Sequence, residues 1–287
     1  MPDSSHHPFS PTRGDYRDPL TLIDWPQLEA PGAWLPQSAL SLHGLPEFAA
    51  AGDEVKRRLS RYEFINVMYC GIWLESIFLQ RVSRLLQPDM SRTENAHLLQ
   101  ELREETGHSL MFLRAIDAAG VELPQGSWRA PRAAAILGRY APAGSAVFWL
   151  AMLIGENVSD SLNRDLCESA VDVNPAVRQI CMLHVADEAR HISHARVMLA
   201  AALSSSGAAR RALLSSAARV LLWQMASVFY YPPADFYALA GLPRETDWRA
   251  SALRNPARRR FVAQQLAPTV QLLQSFGLNV RETRIYQ

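Results

Sequence analysis

The sequence predicts an all-α protein built on a four-helix core with one long crossover, and three observations carry that expectation. Hydrophobic residues fill 48% of the 287 positions, enough to bury a large core in a chain of this length. From Glu54 onward the apolar residues recur at three- and four-residue spacing, with no alternating strand pattern and no glycine-rich phosphate loop. The connections between the long segments are unequal in length.

The first 53 residues, rich in proline, serine and histidine, show no sustained periodicity. They are expected to form an N-terminal extension, either wrapped on the body or partly disordered. Residues 54–287 are expected to form a single helical domain. Its core, about 54–204, comprises four long segments: Glu54–Leu86, Ser91–Ala119, Gly144–Ser169 and Pro175 to about Ser204. Few residues separate the first from the second or the third from the fourth, so each pair reads as an antiparallel hairpin. Between the second and third lies a crossover of about 25 residues, with Pro124, Pro131 and Pro142 inside it. Further helical stretches near Ala208–Phe229, Pro233–Ala240 and Asn255–Phe276 are expected to pack around the core. This is the plan of ferritin-like four-helix bundles, whose metal sites lie in the bundle core.

Composition narrows the function classes. A net charge of +1 offers no electrostatic footprint for nucleic acid or an anionic membrane. The longest apolar run, Ala146–Ile154, is far short of the roughly 20 residues that span a bilayer, and the start MPDSSHHPFSPTRGD lacks the order of a signal peptide. The expected location is cytoplasmic. Cys70, Cys167 and Cys181 have no C-x-x-C spacing, so they are expected to be core thiols rather than a disulfide framework or a thiolate site. Arg258, Arg259 and Arg260 form the densest basic cluster and read as a solvated helix face.

Charged residues interrupt the apolar faces in a pattern. Glu75 shares its face with Met68, Gly71, Ile72, Phe78 and Leu79, while Glu156 follows Trp149, Met152 and Leu153. A lone carboxylate in such company costs several kcal/mol unless it is neutralised, paired or bound to a cation. The second segment carries Glu105 and His108 in ELREETGH, and the fourth carries Glu188 and His191 in DEARH. Two lone glutamates and two Glu-x-x-His pairs, one on each of four successive helices, make the carboxylate-bridged two-metal set of ferritin-like di-iron proteins. A core of hydrogen bonds and salt bridges is the structural alternative. A third pair, Glu94 and His97, is set aside because Ser91 followed by Glu94 is a capping box.

HVADEARH adds a third imidazole. His184, Glu188 and His191 fall within an arc of about 60° on one helical face, so His184 can reach the iron held by Glu156 and His191 and raise its coordination. With this set ending H-x-x-x-E-x-x-H, the stretch from about Glu54 to Ser204 resembles the p-aminobenzoate N-oxygenase family of di-iron arylamine oxygenases. The resemblance implies that Glu75 and His108 bind one iron, that Glu156, His184 and His191 bind the other, and that Glu105 and Glu188 bridge. It implies two iron ions, O2 as co-substrate and oxidation of a small amine to the hydroxylamine, nitroso or nitro level. The amine is either free and aromatic, or aliphatic and carrier-protein-tethered. Electrons come from an external donor, since no nucleotide fingerprint is visible, and a homodimer is expected. The alternatives are a di-iron hydroxylase or desaturase acting at carbon, and a non-catalytic iron-binding protein.

Several neighbours have two readings each. Glu101 either approaches the first iron or lies outside the ligands, and His194, displaced by about 80° on the helical wheel, has a supporting or packing role. Asp160 either orients a histidine or is solvated, and Asp187 and Arg190 are candidates for an outer ring of contacts. Val228–Pro233 (VFYYPP) either packs in the core or lines a substrate channel. Arg281 and Arg284 are candidates to hold a substrate carboxylate.

Overall fold

The computed structural model describes residues 16–121, 123–168 and 173–280, and among these it is helical, with one isolated bridge between Ala33 and Val173. Two one-turn helices, α1 (Pro19–Leu22) and α2 (Pro46–Ala49), precede the long ones. The core is α3 (Asp53–Val82), α4 (Arg92–Ala118), α6 (Ala146–Glu168) and α7 (Pro175–Ser204), with α5 (Arg132–Tyr140) inside the crossover. Then follow α8 (Ala208–Tyr230), α9 (Ala234–Leu239), α10 (Trp248–Arg254) and α11 (Pro256–Ser275).

Local chemistry sets the starts of the helices. Ser91 Oγ accepts the Glu94 N–H at 3.2 Å and itself donates to the Glu94 carboxylate at 2.6 Å, which fixes the first turn of α4. Asn174 Oδ1 accepts the Ala176 N–H at 2.9 Å, and Pro175 opens α7 with a ready-made helical φ. α3 packs on α4 and α6 on α7, and contacts of α3 with α6 and α4 with α7 close the four. By length and hydropathy the stretch Ala208–Leu239 could cross a membrane; here α8 packs on α3, α6 and α11.

The extension takes the first of its two expected forms, and other regions differ from the sequence expectation. The described part of the extension, from residue 16, is wrapped on the body: Trp34 and Leu42 are fully buried, and the Trp34 N–H donates to Ser60 Oγ at 3.1 Å. The crossover and the stretch after α9 each contain a short helix, α5 and α10, that proline and glycine conceal. Arg258 is not on a solvated face but is 4% exposed, with its guanidinium donating to the carbonyls of Tyr230 and Ala39. Arg281 and Arg284 lie outside the described residues.

Candidate metal centre

Seven side chains from four helices meet in the middle of the bundle: Glu75 of α3, Glu105 and His108 of α4, Glu156 of α6, and His184, Glu188 and His191 of α7. None is more than 3% exposed. Glu105 and Glu188 are central. Glu105 turns Oε2 toward His108 Nδ1 (3.3 Å) and Oε1 toward His191 Nδ1 (2.8 Å). Glu188 turns Oε1 toward His108 Nδ1 (3.4 Å) and His184 Nε2 (3.3 Å), and Oε2 toward His191 Nδ1 (3.5 Å). Each therefore offers one oxygen to each half of the cavity. Glu156 has a carboxylate oxygen within 4.8 Å of oxygens of Glu75 and Glu105.

One detail corrects the sequence expectation. His184 stands not with Glu156 and His191 but beside Glu75 and His108: its Nε2 is 3.7 Å from Glu75 Oε1, and its ring centroid is 4.7 Å from that of His108. Four residues before Glu188, its ring leans toward α3 and α4, a direction that spacing along one helix leaves open.

The electrostatics are those of too much negative charge in too little space. Burial and the facing carboxylates push Glu75 and Glu156 well above the usual carboxylate range. Burial opposes ionisation of Glu105 as well, but His191 and His108 hold it well below that range. Burial disfavours a charged His108, yet Asp187 and Glu105 lift it to about 9, whereas burial lowers His184 to about 4. Glu75 Oε2, Glu105 Oε1, Glu156 Oε1, both Glu188 oxygens and His191 Nδ1 are buried without a well-directed hydrogen bond. Such a concentration of orphaned acceptors in one cavity is what a cation relieves. Two divalent ions would balance four carboxylates, with neutral imidazoles completing the donor set. The residues fit a dimetal centre.

A second ring of contacts orients the imidazoles. His108 Nε2 faces Asp187 Oδ2 at 3.4 Å, and Asp187 is held in turn by Arg190 at 2.9 Å. His191 Nε2 faces Glu104 Oε2 at 3.0 Å. With those protons on Nε2, both rings turn their Nδ1 lone pairs inward. His184 Nδ1 lies 3.0 Å from the side-chain amide of Asn163. Asn163 and Glu104 were not anticipated; Asn163 sits seven residues after Glu156, on the same helical face, and that spacing is the signal that could have found it. Asp160 neither orients a histidine nor stands free, because it pairs with Arg164 at 2.6 Å. Glu101 and His194 pair with each other at 2.9 Å. Phe78 stacks on His191 and Phe112 packs on His184, which lines the cavity with hydrocarbon. Within VFYYPP, Phe229 and Tyr230 are core, while Val228, Tyr231 and Pro233 line a 560 Å³ cavity together with Trp128, Trp223 and Arg249.

Comparison with known proteins gives the lineage. An uncharacterized protein of Mycobacterium tuberculosis, Rv0885, is 24% identical over 272 residues, covering 91% of this chain and 78% of its own length, and Mb0909 of Mycobacterium bovis matches equally. Among solved structures, a variant of an R2-like ligand-binding oxidase with an anaerobically reconstituted Mn/Fe cofactor aligns over 88% of this chain and 82% of its own, at 13% identity and a TM-score of 0.39. The family described as p-aminobenzoate N-oxygenase AurF matches residues 5–277. With nearly the whole chain inside that match, the protein belongs to the p-aminobenzoate N-oxygenase AurF family, which makes it an oxidoreductase.

Proposed function

We propose that the protein is a non-haem di-iron N-oxygenase that uses O2 to oxidise the amino group of a small amine. Glu75, Glu105, His108, Glu156, His184, Glu188 and His191 would hold two iron ions, with Glu105 and Glu188 shared between them. The observation that carries this reading is the set of orphaned, fully buried acceptors at the meeting point of α3, α4, α6 and α7, in a chain of this family. When bound, the irons supply the redox chemistry that activates O2. The first oxidation balances as amine, O2, two electrons and two protons giving hydroxylamine and water. The electrons come from a separate donor. We place the enzyme in the cytoplasm as a homodimer.

The chain's own residues position and exclude. Asp187 and Glu104 accept the Nε2 protons of His108 and His191 and keep both rings turned to the cavity. An Asn163 amide with its oxygen toward His184 would accept the Nδ1 proton and leave Nε2 free to ligate. Phe78 and Phe112 keep water from the donors, so the carboxylates act on a cation without bulk screening.

The test is anaerobic Fe(II) loading followed by O2 and a panel of aryl and aliphatic amines, with products followed by mass. Oxygen gained on nitrogen is the expected result; turnover at carbon alone would overturn it. His184→Ala should keep the fold and change O2 reactivity, and unchanged turnover in that variant would remove His184 from the ligand set.

A further inference from the structure

We propose that His97, Glu101 and His194 form a separate, mononuclear site for a divalent transition-metal ion, on the solvent side of the buried set. His97 and Glu101 stand four apart on α4, and His194 reaches them from α7. His97 Nε2 is 3.3 Å from Glu101 Oε1, and His194 Nδ1 is 2.9 Å from both Glu101 oxygens. One donor atom from each residue lies within 4.8 Å of the others. Tetrahedral coordination with arms of about 2.0–2.1 Å puts neighbouring donors roughly 3.3–3.4 Å apart, so the two distances to Glu101 are at or slightly below the spacing an ion requires.

Burial grades across the three. The Glu101 side chain is 2% exposed, that of His194 17% and that of His97 52%. A buried carboxylate therefore forms the floor, and the half-exposed His97 forms the rim, leaving a fourth position to water. Trp149 packs on His194 at 5.0 Å, and the His97 and His194 rings meet edge-on at 5.3 Å, so the two imidazoles are already gathered. A hydrogen bond alone gives a half-exposed histidine little reason to hold this geometry. Two imidazoles and one carboxylate favour zinc, ferrous or cobaltous ions over magnesium or calcium.

The place of the site gives it a use. Glu101 precedes Glu105 by four residues and His194 follows His191 by three, about 6 Å and 4.5 Å of helical rise. An ion captured at the rim sits one turn from Glu105 and His191, two of the seven buried donors, and is positioned to fill them; this step rests on the dimetal reading.

Anaerobic Co(II) titration of the full chain, read by equilibrium dialysis and visible absorption, tests both parts. The wild type should bind one equivalent more than His97→Ala, an exposed position where truncation spares the core. Glu156→Ala should lose buried equivalents and keep the outer one. His97→Ala should also fill its buried equivalents several-fold more slowly. Equal stoichiometry and spectra for wild type and His97→Ala would overturn the site, and equal filling rates would overturn its capture role. Full binding by Glu156→Ala would sink the dimetal reading instead, leaving the outer site standing.

Discussion

Two buried carboxylate regions sit on the same helix, α3, and solve the same problem in opposite ways. Glu63 is 3% exposed, and its oxygens accept the Ser41 N–H at 3.0 Å and the Ser41 hydroxyl at 2.5 Å. Arg258 lies 3.6 Å away as a counter-charge, with its other N–H groups on backbone carbonyls, and Tyr237 closes the network against Ser41 at 3.0 Å. Three turns on, Glu75 is just as buried but faces three more carboxylates and, among the described residues, is paired with no arginine. The protein neutralises Glu63 from its own chain and leaves Glu75, Glu105, Glu156 and Glu188 for something it must bind. A buried charge with a complete set of partners is architecture, while one without them marks a site.

The sharpest way to break that contrast is to remove one partner from each region. Arg258→Met strands Glu63 and should cost about 3–5 kcal/mol of stability in urea denaturation. Glu156→Gln should cost the metal-free protein nothing, because it relieves like-charge crowding. The same change should weaken retention of Fe(II) by more than the roughly 10–100-fold typical of outer contacts. If Glu156→Gln destabilised the metal-free protein as much as Arg258→Met, the two regions would be the same kind of network.

A smaller effect is expected one contact further out. Asn163→Leu removes the amide beside His184 Nδ1 but keeps the side-chain volume, so it should loosen metal binding by about 10–100-fold. Urea stability of the metal-free protein should stay near wild type, and Asn163→Asp, which restores an acceptor, should recover part of the affinity. Loss of stability without loss of affinity would make Asn163 a packing residue.

The contrast also explains what could be read from the chain. Glu75, the two Glu-x-x-His pairs, Glu156 and His184 are legible because helical spacing turns sequence separation into a shared face, and a charged residue on an apolar face is conspicuous. The Glu63 network was not legible: Ser41 lies 22 positions from Glu63 and 196 from Tyr237, Arg258 stands far along the chain from both, and nothing local marks Arg258 from the two arginines beside it. The same holds for His184, whose face was predictable while its lean toward Glu75 depended on neighbouring helices. His97 was set aside because Glu94 has a capping role; the structure confirms that cap, and it also shows that His97 belongs with Glu101, one turn on. The N-terminal extension hid Trp34 and Leu42 because a segment wrapped on a body has no period of its own.

The smallest effect isolates one region by geometry. Gly71 lies between Glu63 and Glu75, and a Cβ there would stand 2.5 Å from Phe112 Cε2 and 2.8 Å from Cδ2. The missing side chain is what lets the Phe112 ring lie against α3 and pack 5.3 Å from His184. Gly71→Ala gains about 1 kcal/mol of helix propensity but overpacks a filled core, which costs about 1–3 kcal/mol. The net loss should therefore be no more than about 2 kcal/mol. The displaced ring should show in the spectrum of a bound Co(II) ion, while the Glu63 network two turns earlier stays as it was. Phe112→Leu on top of Gly71→Ala should return both stability and spectrum toward wild type, a coupling that two independent sites would not show. An unchanged spectrum in Gly71→Ala, with no coupling to Phe112, would mean that this aromatic wall does not shape the cation cavity.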